Sequence, residues 1–237
     1  MKLHYLIFHP DRERELVKIR GQAIINYQLK DDWTGMIWSD KRKHNEDPFI
    51  YNQQWAYSYC HATQLSRAFK KNVPFVQAGS VLFFCSGDYI DKNEVVLDTV
   101  FFVQGAYKWV SNQLTGPQLP YELENYFGDN SSPLWERHLK YPFQNQHYTP
   151  KKGNYTYISP KFDKSVTRNY SFLPLKDSGI RTSFPTSILN DNLVTLINEK
   201  KNGKRPVPLT ECYKNELLDL IDKHTMIKVV EVQKELS

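Results

Sequence analysis

The chain has 237 residues, 40% of them hydrophobic and 24% charged, which suits a folded unit with its own core and excludes disorder of the whole chain. Its three cysteines, Cys60, Cys85 and Cys212, include no CxxC pair; this excludes a disulfide scaffold and a cysteine-rich zinc site, and reduced thiols fit a cytoplasmic protein. The net charge of +5 is unevenly spread, because residues 136–205 hold 13 Lys and Arg against 5 Asp and Glu, a local +8 that leaves −3 elsewhere and points to a polyanion-facing surface.

Leu3–Phe8 reads as a first strand, too short for a signal-peptide core, and no run approaches the roughly 18 apolar residues of a membrane span, so neither secretion nor membrane insertion is expected. Asp11 then caps an expected helix, with Leu16, Ile19, Ala23 and Ile24 on one face. Residues 31–48 read as a polar loop around Met36–Trp38, and 52–71 as a second helix. Gly79 opens the clearest strand, Ser80–Cys85, which Ser86-Gly87-Asp88 breaks; Val95–Val103 is a second apolar strand. These two runs are expected to pair as central strands buried on both faces, ending near Gly105 and Trp109. Residues 112–134 form a long connection with a helical turn at Tyr121–Phe127, and Tyr155–Ile158 is a short strand. A helix over Thr186–Glu199, an extended Pro206–Leu209, a helix from Thr210 to Lys223 and a strand Met226–Val232 complete the chain. This divides it into a main domain over 1–205, built around a hairpin at 80–103, and a helix–strand extension over 206–237 packed on it.

Four groups of residues carry possible chemistry. In the first, Lys140, Lys151, Lys152, Lys161, Lys164 and Arg168 interleave with rings that include Tyr148, Tyr155, Tyr157, Phe162, Tyr170 and Phe172. Cations neutralise phosphates and rings stack on bases, so this mix suits single-stranded nucleic acid; strands with rings inward and lysines outward would produce the same pattern. In the second, His138 and His147 flank that segment and are the candidate acid/base residues of an enzymatic reading. No HExxH or HxH spacing occurs, and neither a metal nor another cofactor is expected. The third is the turn Ser86-Gly87-Asp88, where Asp88 could face a ligand or merely complete a hairpin. Asp98, set between apolar residues, falls with Glu94 and Lys108 short of a nuclease triad spacing. The fourth is the tryptophans, of which Trp38, Trp55 and Trp109 are candidate walls of a base pocket, or simply core and rim residues. The phosphate loop, the dinucleotide fingerprint, the nucleophile elbow and the zinc-deaminase signature are all absent from the sequence.

The order of Gly79–Phe84 followed by Asp98–Val103, a glycine leading into a strand with paired aromatics and then a second apolar strand, resembles the PUA-like superfamily, which includes EVE and ASCH domains. It is also similar to the nucleotide-modification-associated domains of phages and mobile elements, whose basic histidine- and tyrosine-bearing region would here be His138-Leu139-Lys140-Tyr141 with His147-Tyr148. The likeness spans roughly 79–160, and Ser80 stands where many such domains carry Asp. It implies a mixed β-barrel, or a strongly curved sheet with flanking helices, that accepts a base between aromatic walls, with Trp38, Trp55, Trp109 and Tyr148 as those walls. The expectation is therefore an α+β, PUA-like fold and a protein that binds nucleic acid or modified nucleobases. An enzyme acting on nucleotides through a histidine, and a partner-binding protein of a phage or defence system, are the alternatives.

Overall fold

A computed structural model describes residues 3–9, 14–40, 49–51, 54–57, 65, 76–86, 93–112, 116–118, 121–127, 154–165, 169–201 and 206–236. More than half of these lie in strands, with few helices, so the protein is a mixed α+β fold. The strands form three sheets of five.

The central sheet is built on β6 (Val81–Ser86) and β7 (Glu94–Phe102), the two most apolar runs, which pair antiparallel. β1 (His4–His9) lies parallel to β6 on the other side. β13 (Ser183–Pro185) and β14 (Val207–Leu209) form the edges. Every residue of β6 is buried, because alternate side chains enter different cores. Val81, Phe83 and Cys85 join Leu6, Val100 and Phe102 on the face covered by α2 (Asp191–Lys201) and α3 (Glu211–His224). Leu82 and Phe84 join Tyr5, Ile7 and Phe101 on the other face, against Trp55, Tyr57, Tyr155 and Tyr157 of the second sheet. That sheet runs β4 (Phe49–Tyr51), β5 (Gln54–Tyr57), β10 (Asn154–Ile158), β8 (Gly105–Asn112) and β9 (Gly116–Gln118). A short helix, α1 (Tyr121–Phe127), follows β9.

The third sheet corrects the expected helix after Asp11 and the expected loop over 31–40, while 41–48 lie outside the described residues. Residues Arg14–Ile25 form β2 and Gln28–Asp40 form β3, an antiparallel hairpin continued by β15 (Ile227–Leu236), β11 (Leu173–Asp177) and β12 (Ile180–Arg181). Val17, Ile19, Ala23 and Ile25 recur with period two and pack with Trp33, Ile37 and Val229, which fits a strand better than a helix face. Gln28, Lys30, Asp32 and Thr34 of β3 are exposed. Asn26 and Tyr27 make the two-residue turn with φ of 49° and 62°, the left-handed pair that a right-twisted hairpin requires. The helix expected over 52–71 is corrected over Gln54–Tyr57, which are β5, and Trp109 lies within β8 instead of ending the central pair. Near the C-terminus, the side chains of Asn190 and Thr210 accept from the backbone N–H groups of Asn192 and Tyr213, which starts α2 at Asp191 and α3 at Glu211.

The third sheet curls until its ends meet. The Met36 N–H donates to Ser178 Oγ at 2.6 Å and the Gly179 N–H to the Met36 carbonyl at 2.8 Å, so the β11–β12 turn reaches the outer edge of β3. The strand order stays open among the described residues, and no sheet closes into a barrel. No helix among them is long and apolar enough to cross a membrane.

Candidate functional site

A single irregularity in the central hairpin organises a largely buried polar site. Phe84 pairs with Thr99 but Cys85 with Leu97, so one extra residue, Asp98, bulges from β7. Arg14, at the start of β2, donates from Nη1 and Nη2 to its two carboxylate oxygens at 2.5 and 2.9 Å. Arg181, on β12, donates from Nη1 to Oδ1 at 2.6 Å. Burial by itself would raise the Asp98 carboxyl; the charge and hydrogen bonds of Arg14, then of Arg181, outweigh it and hold the group below the usual carboxylate value. Behind it, burial pushes the Cys85 thiol well up, Asp98 adds to the rise and Arg181 opposes it. That thiol is a core group, not a nucleophile. At the same end of the hairpin the buried hydroxyl of Ser86 has no hydrogen-bond partner among the described residues.

Beside this cluster lies an apolar patch. Leu16 of β2 faces Trp38 of β3, and Arg14 faces Asp40, so Arg14 is the diagonal neighbour of Trp38 on one sheet face. Trp38 is 39% exposed, Leu16 46% and Ile180 56%. Gly179 joins the patch at close range. A Cβ at this residue would stand 3.0 Å from Leu16 and 3.3 Å from Met36, and its φ of 79° is one a side chain rarely adopts.

Of the residues singled out in the sequence, Trp38 alone among the described ones combines exposure with a cationic neighbour. Trp55 and Trp109 are buried with their indole N–H groups engaged, by the Val230 carbonyl at 3.3 Å and Thr156 Oγ1 at 3.0 Å. Lys161 is exposed, and Lys164 donates to Asp31 at 2.9 Å. Tyr155 and Tyr157 are in the core, and Phe162 packs edge-to-face on Tyr170 with ring centres 5.4 Å apart, so in this stretch rings point inward and lysines outward. His138, His147, Lys140, Tyr148, Lys151, Lys152, Arg168 and Asp88 lie outside the described residues.

Two groups escaped sequence reasoning. Arg14 and Arg181 carry no local signal, since their shared partner is 84 and 83 residues away. His4 is the other. Its Nδ1 accepts from the Val81 N–H at 3.0 Å, which places the ring proton on Nε2, and this donates to Glu211 at 2.8 Å. Both nitrogens are engaged in joining β1, β6 and α3, which marks a structural histidine. No family model matches the chain, and neither a curated protein nor a solved structure shows a significant match to it.

Proposed function

We propose that this protein is a binding module for nucleic acid or nucleobases that uses the Trp38 face as a stacking platform and neighbouring cations as phosphate contacts. The observation that carries the reading is an exposed indole standing diagonally from Arg14 on one sheet face, with Arg181 sharing the same carboxylate. Stacking on a rigid ring tolerates any base, and guanidinium groups suit phosphate oxygens. A PUA-like character for the region over 79–160 belongs to this proposal and is supported by the antiparallel pairing of β6 with β7. A cytoplasmic setting is supported by the free thiols of Cys85 and Cys212.

The test is fluorescence anisotropy with labelled single-stranded DNA and RNA at two salt concentrations, comparing wild type with Trp38→Ala. Wild type is expected to bind, to weaken steeply with salt, and to lose about tenfold in affinity on Trp38→Ala, the size of one stacked base. Absence of binding at low salt, or equal binding by the variant, overturns the reading.

A further inference from the structure

We infer that the Arg14–Asp98–Arg181 cluster is a subsite for a terminal phosphate monoester, in which Arg181 contacts the ligand and Asp98 is a positioning residue. The inference rests on the nucleic-acid reading above for the remainder of the ligand, and it names which part of that ligand the cluster takes.

Three observations point there. The first is the bulge, which interrupts the ladder of the most apolar hairpin to turn one carboxylate toward two arginines from other strands. Bulges recur where a side chain must be re-aimed, often beside functional sites. The second is the unequal use of donors. Arg14 covers both carboxylate oxygens with a bidentate pair, whereas the Arg181 side chain uses a single Nη and makes no other hydrogen bond among the described residues. A guanidinium has five N–H donors in a fixed fork, so Arg181 keeps donors for a second acceptor while Asp98 holds its plane. The third is depth. The side chains of Arg14 and Arg181 are 18% and 21% exposed, so the guanidinium groups are largely covered yet open to solvent. A terminal monoester, flanked by one sugar, reaches a largely covered guanidinium with less crowding than a phosphodiester flanked by two. Two guanidinium groups against one carboxylate leave the cluster with a positive charge that attracts an anion. The terminal base then falls within reach of Trp38.

The experiment compares single-stranded DNA octamers carrying a 5′-phosphate, a 3′-phosphate or hydroxyls at both ends, bound to wild type and to Arg181→Gln, which keeps the Arg14–Asp98 pair. One terminal phosphate is expected to tighten wild-type binding about tenfold, the size of one charge-assisted hydrogen bond. Arg181→Gln should lose that preference and bind the phosphorylated and hydroxyl-ended octamers with equal affinity. Equal binding of all three octamers by wild type overturns the subsite and leaves the nucleic-acid reading standing, as does a preference that survives in Arg181→Gln. If no octamer binds, or if Arg181→Gln fails to fold, the thermal midpoint of wild type is followed against rising inorganic phosphate at constant ionic strength, because phosphate stabilises any fold at high concentration whereas a bound site saturates. A rise that saturates at millimolar phosphate supports the subsite, and a rise that only grows in proportion to phosphate, or no rise, overturns it.

Discussion

A carboxylate placed in the middle of an apolar strand must find cations or leave the core, because an isolated buried charge is strongly disfavoured. Asp98 finds two, from β2 and β12, and so joins the central sheet to the curled one. The energetic consequence is asymmetric. Replacing both partners with apolar groups could be neutral, but removing Asp98 alone leaves two guanidinium groups facing each other. Asp98→Ala is expected to destabilise the fold by about 2–3 kcal/mol, below the range for a fully buried pair because solvent reaches both arginines. Urea unfolding of the variant checks this, and a loss of under about 0.5 kcal/mol would show that the cluster contributes little to stability. At this scale the sequence was partly legible. Asp98 stood out as a polar residue in an apolar run, whereas nothing local to Arg14 or Arg181 indicated a shared partner.

Among the elements, the hairpin β2–β3 shows how a helical spacing can mislead. Leu16, Ile19, Ala23 and Ile24 fit a helix face, yet the β-branched Val17, Ile19 and Ile25 alternate inward once β3 and β15 flank the segment. Gly21 is the position on which that pairing depends. A Cβ there would stand 2.0 Å from the Glu231 carbonyl oxygen, a backbone atom at the register shift between β2 and β15. Gly21→Ala must therefore push two strands apart, and it is expected to lower stability by about 1–3 kcal/mol through overpacking. Thermal unfolding measures it; an unchanged or higher midpoint would mean that β15 shifts freely at this bulge. In a helix the same substitution would have stabilised, so its sign also separates the two assignments.

For the whole molecule, the two cores on either face of β6 hold the titratable groups that set the response to pH. Asp98 has a folded value below the ordinary carboxylate value, so the unfolded chain takes up its proton first as pH falls. Its stabilisation is in place above about pH 4 and is lost as pH drops through the folded value. On the alkaline side the sign reverses. Burial pushes Cys85 well up, raises Tyr5 and Tyr170 to about 12, and raises Tyr157 further. These groups stay protonated in the fold after the unfolded chain has ionised, so stability is full below about pH 8.5 and declines above it. Thermal midpoints between about pH 3 and 11 should fall at both ends, and a flat alkaline limb would mean that water reaches these rings and the thiol.

The sequence by itself determined what short-range chemistry dictates. The density of apolar residues on either side of Ser86-Gly87-Asp88 marks the central strands, and Thr210 marks the start of α3 through a cap that needs only its own neighbours. Tertiary structure alone decided the rest. Whether residues 14–40 are helix or strand, and whether Trp38 faces solvent while Trp55 and Trp109 face the core, depends on which distant strands lie alongside. The Arg14–Asp98–Arg181 cluster exists only once β2, β7 and β12 have been brought together. The physical reason is that strand pairing and buried charge are satisfied by partners far along the chain, and those partners leave no periodicity in the local sequence.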